Sequence, residues 1–173
     1  MDSDRPNIIL VGLPGAGKTS NGRAVAKELR WPFIDFDTEI EHREHASVAS
    51  IFVSRGEAYF RGLEQSLTRE MSTCNGTVMS AGGGWITNRE SVALLRATGR
   101  IIYLRVGPQL ALSRLSSARV RRPLLEVPDP LKVLNQLFEV RRILYEDADL
   151  TIDTEVIERK EVIERVRLYA LSL

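Results

Sequence analysis

The sequence predicts an α/β fold, a five-stranded parallel sheet with helices on both faces. Three observations predict it. Short apolar runs of strand length alternate with stretches whose apolar residues recur at helical spacing. The first run ends at a glycine-rich turn that opens a helix. The chain has 173 residues, 43% hydrophobic and 27% charged, which suits one soluble domain around one buried core.

The elements follow in order. Residues 7–11 form an apolar run ending at Gly12, the pattern of a strand buried on both faces. Residues 18–29 carry Val25, Ala26 and Leu29 at helical spacing, and Trp31-Pro32 stops that helix, because proline disfavours helical geometry in the residue before it. A second strand is expected over 33–36. Two short helices are expected over 38–44 and 47–54, with Ser47 capping the second. Gly56 breaks the pattern, and 57–72 resumes it as a longer helix. A third strand over 77–80 closes at Gly82-Gly83-Gly84, and Asn88 caps a helix reaching about Ala97. A fourth strand covers 100–106, and Pro108 starts a helix to about Leu115. Residues 116–130 are polar, arginine-rich and hold three prolines, so a mobile loop is expected there. A helix over 131–145, a fifth strand over 150–152 and an amphipathic helix over 156–171 complete the chain. No repeat or interdomain linker interrupts it, so residues 1–173 read as one domain.

Gly12-Leu13-Pro14-Gly15-Ala16-Gly17-Lys18-Thr19 matches the phosphate-loop pattern G-x-x-x-x-G-K-[ST] in full, between a predicted strand and a predicted helix. Glycines let backbone N–H groups converge on phosphate oxygens, and the helix N-terminus adds partial positive charge. Gly15, Ala16, Gly17, Lys18, Thr19 and the following Ser20 are the candidate nucleotide contacts. In this motif the lysine reaches the β- and γ-phosphates and the Thr hydroxyl ligates Mg²⁺. A structural turn alone explains a glycine or two but not Lys18-Thr19 as well. The sheet is therefore expected to be of the P-loop NTPase kind, with ATP and Mg²⁺ as its cofactors. The chain has no N-K-x-D guanine-reading motif and no conventional Walker B aspartate after the third strand, which turns the reading away from GTPases and toward small-molecule kinases.

The second strand ends in Phe33-Ile34-Asp35-Phe36-Asp37. Strand alternation predicts Asp35 and Asp37 on one face, at the carboxyl edge where ligands bind in such sheets. Phosphoryl transfer uses one carboxylate near the metal and one near the acceptor hydroxyl. The plainer reading makes one of them the cap of the next helix. Arg61 lies one helical turn beyond Glu57, which suits either an exposed ion pair or capture of an anionic substrate.

Taken together, GLPGAGKTS, FIDFD, IFVSRGEAYFRGLE, AGGG, RRPLL and RRILY resemble shikimate kinase, in family order along nearly the whole chain. The resemblance implies transfer of the γ-phosphoryl group of ATP to the 3-hydroxyl of shikimate, a step of aromatic amino acid biosynthesis. It implies that Asp37 contacts the shikimate hydroxyls and helps deprotonate the acceptor, and that Asp35 orients Mg²⁺ through water. It implies that Arg61 and Arg141 hold the shikimate carboxylate, with Gly83 and Gly84 offering backbone contacts. It implies that Arg122, in a lid over about 116–130, reaches the transferring phosphoryl group, and that Arg114 stacks on adenine. Residues 38–72 supply the substrate-binding helices in this reading. Three features depart from the family pattern. Ala81 precedes the glycines where many members carry threonine. Trp85 follows the glycines where a small residue is usual, and its bulk is expected beside the substrate pocket, where it could narrow specificity. The Asp153-Thr154-Glu155-Val156 segment lacks the usual polar or basic adenine contact.

A kinase of another hydroxylated acid, such as gluconate, shares the phosphate loop; Arg61 and Arg141 beside Asp37 favour a carboxylate-bearing acceptor. A silent ligand-sensing module is the other alternative, and intact Lys18, Asp37 and Arg122 speak against it. The net charge of +1 gives no pull toward nucleic acid or membrane surfaces. The lone Cys74 excludes a disulfide within the chain. His42 and His45 are expected on a solvated helix face. No apolar run approaches the ~20 residues of a membrane span, and no apolar signal core opens the chain. A cytoplasmic monomer is the expectation.

Overall fold

The structure, a computed structural model, describes residues 5–117 and 126–173. Its strands are β1 (Asn7–Val11), β2 (Phe33–Asp35), β3 (Val78–Ser80), β4 (Gly99–Arg105) and β5 (Leu150–Asp153). Its α-helices are α1 (Lys18–Leu29), α2 (Phe36–Glu44), α3 (Val48–Met71), α4 (Arg89–Thr98), α5 (Pro108–Ser117), α6 (Pro130–Glu146) and α7 (Arg159–Leu171). The strands form one parallel sheet in the order β2-β3-β1-β4-β5. This is the predicted five-stranded α/β sheet.

The order explains where a ligand goes. β1 is central, with Ile9 opposite Met79 of β3 on one side and Ile101 of β4 on the other. The chain runs from β1 to β2 on one side of it, and the later crossover from β3 to β4 passes to its other side, so a crevice opens beyond the carboxyl end of β1. Ile8, Ile9 and Leu10 are fully buried, as a strand covered on both faces requires. The turn leaving β1 thus projects from the buried centre of the sheet into that crevice.

Local chemistry sets most boundaries. The Ser47 and Asn88 hydroxyl and carbonyl oxygens accept from the backbone N–H groups of Ser50 and Ser91, capping α3 and α4 as expected. Gly56 takes φ 80°, ψ 168°, a geometry open to glycine, and this is the expected break, now seen as a kink within α3. Two boundaries differ from expectation. The second strand stops at Asp35, because the Asp35 carboxylate accepts from the backbone N–H of Thr38 and starts α2 at Phe36. Residues 156–158 precede α7, which begins at Arg159. A turn of 3-10 helix over Trp85–Thr87, which no periodicity announced, follows the glycine triplet.

Candidate active site

The phosphate loop joins β1 to α1 in the predicted place. Gly15 adopts φ +88°, and a Cβ there would lie 2.5 Å from the carbonyl oxygen of Ala111, so the loop needs glycine for both its conformation and its packing against α5. The Lys18 ammonium donates to the carbonyl oxygens of Gly12 (2.9 Å) and Leu13 (3.1 Å), which holds the side chain curled over the loop. A cavity of about 550 Å³ opens above it, lined by residues 14–21, Asp35, Asp37, Ser80, Gly83 and Arg114, among others.

Asp35 and Asp37 both reach this cavity, but not by strand alternation. Asp35 is the cap of α2 and Asp37 lies in its first turn. The expected shared strand face is replaced by a strand-to-helix corner, since capping ends the pleat before Asp37. The role of helix cap therefore falls to Asp35. Its other carboxylate oxygen accepts from the Thr19 hydroxyl at 2.6 Å, and that hydroxyl lies 3.5 Å from Ser80 Oγ. Thr19, Asp35 and Ser80 thus gather oxygen donors at the foot of the loop. This donor set fits Mg²⁺, which favours oxygen, retains water and takes one or two carboxylates together with phosphate. No three His, Cys, Asp or Glu side chains converge among the described residues, so a cation held here would draw its remaining ligands from phosphate and water. His42 on α2 and His45 at its C-cap are exposed.

Asp37 faces a different environment. Burial, then the neighbouring Asp35 charge, raises its carboxyl above the ordinary value, against the pull of Lys18. Close by lies Glu64, buried on α3. A Cβ at Gly82 would stand 2.8 Å from Asp37 Oδ1 and 2.6 Å from Glu64 Oε1, so only glycine lets both carboxylates approach this wall. Glu64 Oε2 accepts from Arg61 Nη1 at 2.5 Å, and Arg61 Nη2 donates to Glu57 at 3.0 Å. Glu64 Oε1 has no hydrogen-bond partner among the described residues, and burial raises this carboxyl too. The ion pair of Arg61 with Glu57 that sequence suggested is present, with Glu64 as a second, buried partner.

The glycine triplet lies between Asp37 and α6. Arg141 Nη1 donates to the Gly83 carbonyl oxygen at 2.7 Å, and the Tyr145 hydroxyl donates to the same oxygen at 3.1 Å. Tyr145 is itself buried and stacks on Tyr103, ring centroids 5.1 Å apart. A Cβ at Gly84 would collide with the Arg61 guanidinium. Gly82, Gly83 and Gly84 thus let Asp37, Glu64, Arg61 and Arg141 crowd one short segment. Arg61, Arg141 and Gly84 border the cavity's neighbourhood without lining it, whereas Asp37 and Gly83 line it. Glu64 and Tyr145 escaped the sequence reading, because a glutamate or tyrosine on an amphipathic helix carries no local sign of what it touches across the fold.

Trp85 corrects an expectation. Its ring is 1% exposed, its Nε1 donates to the Thr68 hydroxyl at 2.9 Å, and it meets Phe36 edge-on at 6.4 Å between centroids. It does not line the cavity. The 3-10 turn directs the ring into the core against α3, so it supports the glycine triplet from behind instead of narrowing the pocket. At the opposite end, Arg114 donates to the Thr154 hydroxyl (2.9 Å) and carbonyl oxygen (2.7 Å). Arg122, and with it most of the segment expected as a lid, lies outside the described residues. Among the described residues no helix is long and apolar enough to cross a membrane.

The phosphate loop, the oxygen-rich corner and the charged cluster at the glycine triplet adjoin one another in this fold. The family model described as "Shikimate kinase" matches residues 14–169. A shikimate kinase of Pseudomonas syringae pv. tomato is 43% identical over 150 residues, covering 86% of this chain and 87% of that protein. A shikimate kinase of Acinetobacter baumannii, solved in complex with shikimate, superposes with a TM-score of 0.88 at 36% identity, covering 96% of this chain and 93% of the other. A gluconokinase of Sinorhizobium meliloti, at 16% identity and a TM-score of 0.61, shares the fold. On the family match over nearly the whole chain, this protein belongs to the shikimate kinase family, ATP-dependent kinases acting on a small molecule.

Proposed function

We propose that this chain transfers the γ-phosphoryl group of ATP to the 3-hydroxyl of shikimate, giving shikimate 3-phosphate and ADP. The observation that carries the proposal is the placing of Asp37: a half-buried carboxylate with a raised pKa, in the same cavity as Lys18 and on the wall shared with Glu64, Arg61 and Arg141. A carboxylate that holds its proton more tightly than usual is better suited to take one from a hydroxyl. In the proposed step the acceptor oxygen forms a bond to the γ-phosphorus, the bond from that phosphorus to the bridging oxygen breaks, the hydroxyl proton passes to Asp37, and ADP leaves. Gly15, Ala16, Gly17, Lys18, Thr19 and Ser20 hold the phosphates, with Lys18 neutralising charge as it builds. Thr19 holds Mg²⁺ directly and Asp35 through water. Arg61 and Arg141 take the shikimate carboxylate, and the backbone of Gly83 and Gly84 contacts the substrate and the γ-phosphate. Arg114 lies against adenine. Arg122 is assigned to the transferring phosphoryl group by resemblance alone.

We assign the whole chain to this one kinase domain, acting as a cytoplasmic monomer without nucleic-acid or membrane partners; the near-neutral charge supports the latter part. The test is ADP release by purified protein with MgATP and, separately, shikimate, quinate, gluconate or no acceptor. Shikimate-dependent release with little or none for gluconate is expected. Equal release without acceptor, or preference for gluconate, overturns the assignment.

A further inference from the structure

Every carbonyl of the glycine triplet is held, but not from the same place. The Gly82 oxygen accepts from the Trp85 backbone N–H at 3.1 Å, and the Gly84 oxygen accepts from the Thr87 N–H (3.1 Å) and hydroxyl (2.7 Å), all within one turn of chain. The Gly83 oxygen is held from outside that turn, by Arg141 and Tyr145 of α6. Glycine leaves the backbone dihedrals open to many values, so these two donors set the plane of the Gly83–Gly84 peptide. The peptide is trans, and an oxygen drawn toward α6 therefore turns the Gly84 N–H away from α6.

The two donors differ in what else they do. Arg141 is also assigned to the acceptor's carboxylate, so its guanidinium is shared between the glycines and the ligand. Tyr145 does not line the cavity. Its ring is 1% exposed and lies nearly parallel to that of Tyr103, 17° between planes, so a ring of the central sheet supports the hydroxyl from behind. Burial raises the Tyr145 hydroxyl above the ordinary value of 10.0, against the pull of Arg141, and it stays protonated and able to donate at neutral pH. The Tyr103 hydroxyl, in contrast, is buried with no hydrogen-bond partner among the described residues. What Tyr103 contributes is the face of its ring, and what Tyr145 contributes is its hydroxyl.

We propose that Tyr145 is a positioning residue for phosphoryl transfer, its hydroxyl fixing the Gly83–Gly84 peptide in the orientation that the acceptor and the γ-phosphate meet. The proposal rests on the reading of Gly83 and Gly84 as contacts to those two groups. Tyr145 touches neither of them and acts through the peptide.

The test compares wild type, Tyr145→Phe and Tyr103→Phe. The first variant removes the positioning hydroxyl and keeps the stacked ring; the second removes only the unpartnered hydroxyl of the facing ring. For each, kcat and the KM values of shikimate and ATP are measured with Mg²⁺, well below the lowest Tm. In Tyr145→Phe, kcat is expected to fall roughly three- to tenfold, with both KM values within about twofold of wild type, because one neutral hydrogen bond is lost and the reacting groups are left less well aligned. In Tyr103→Phe all three parameters are expected within about twofold of wild type. A Tyr145→Phe kcat within twofold of wild type, with or without a lowered Tm, leaves Tyr145 as a core residue and overturns the proposal. A loss confined to either KM, or an equal loss of kcat in Tyr103→Phe, also overturns it. Wild type that uses quinate or gluconate in place of shikimate corrects the acceptor alone, and the same comparison on that acceptor then decides the role of Tyr145. Wild type inactive on every acceptor sinks both readings.

Discussion

At the phosphate end of the cleft, residues 12–19 do their work within one turn of chain, and the contacts are backbone groups and one lysine. At the acceptor end, Asp37, Arg61, Glu64 and Arg141 arrive from α2, α3 and α6 and meet only at the glycine triplet. At the phosphate end the Lys18 ammonium rests on the carbonyl oxygens of Gly12 and Leu13. The acceptor end is a packed set of charges that already answer one another, Arg61 to Glu57 and Glu64, Arg141 to Gly83. The difference teaches where each end is vulnerable. A loop built from backbone tolerates little change in chain geometry, whereas in a partly buried network of charges the loss of one member leaves its partner unpaired at high cost.

The sharpest break in the comparison is Lys18→Ala. Removing the only lysine of the phosphate loop is expected to reduce turnover to assay background while circular dichroism stays that of wild type. Full ATP-dependent activity in the folded variant would dismiss the assignment of the loop.

Asp37→Asn tests the acceptor end at its reacting group. Turnover is expected to fall by ~10²–10⁴-fold, the usual worth of general acid–base catalysis. In wild type the acid limb of kcat/KM is expected above the ordinary carboxylate value of 3.8, because burial raises Asp37, and the limb should vanish in the variant. The same shift has a sign for stability. The native state keeps this proton to higher pH than the unfolded chain does, so the stabilisation it brings is complete below the unfolded value of 3.8 and is lost as pH rises through the native one. Without ligands, Asp37→Asn should therefore melt higher than wild type at neutral pH, and the difference should close in acid. A variant that melts lower at neutral pH contradicts this account of Asp37.

Arg61→Ala is a milder break. Charge-assisted hydrogen bonds are worth about 1.5–3 kcal/mol, so shikimate KM is expected to rise by roughly 10–100-fold with a smaller change in kcat. The variant also leaves Glu64 buried without its arginine, and Arg61→Ala combined with Glu64→Gln should recover stability without recovering shikimate KM. Unaltered KM in the single variant removes Arg61 from the binding role.

The smallest effect on activity is expected from Trp85→Phe. With the indole behind the glycine triplet, shikimate KM should stay within about twofold of wild type, while loss of the bond to Thr68 lowers stability by about 1 kcal/mol. A changed preference between shikimate and quinate would return Trp85 to the pocket wall.

Legibility in the sequence divides along the same line as the two ends. The phosphate loop, the strand before it and the helix after it were readable because their information is local: the glycines, the lysine and the apolar run are consecutive. The parallel sheet followed from alternation alone, and Ser47, Asn88 and Gly56 marked their caps and kink where capping and positive φ require such residues. Asp35 and Asp37 were readable as a pair at the crevice but not as cap and helix residue, because period-2 spacing and a capping corner place the same two residues at the same edge. Trp85 was misread for a related reason: a residue's neighbours in sequence do not tell which side of the chain its ring takes.

By itself, then, the amino-acid order determined the sheet, the phosphate loop and the set of charges available for an acceptor, since each depends on periodicity or on adjacent residues. Only the tertiary structure decided that Glu64 shares a wall with Asp37, that Tyr145 and Arg141 hold one carbonyl oxygen, that Trp85 faces the core, and that Arg159 lines the cavity of the phosphate loop. Those contacts join residues that are far apart along the chain, and their partners are chosen by how helices pack on the sheet, which no window of sequence contains.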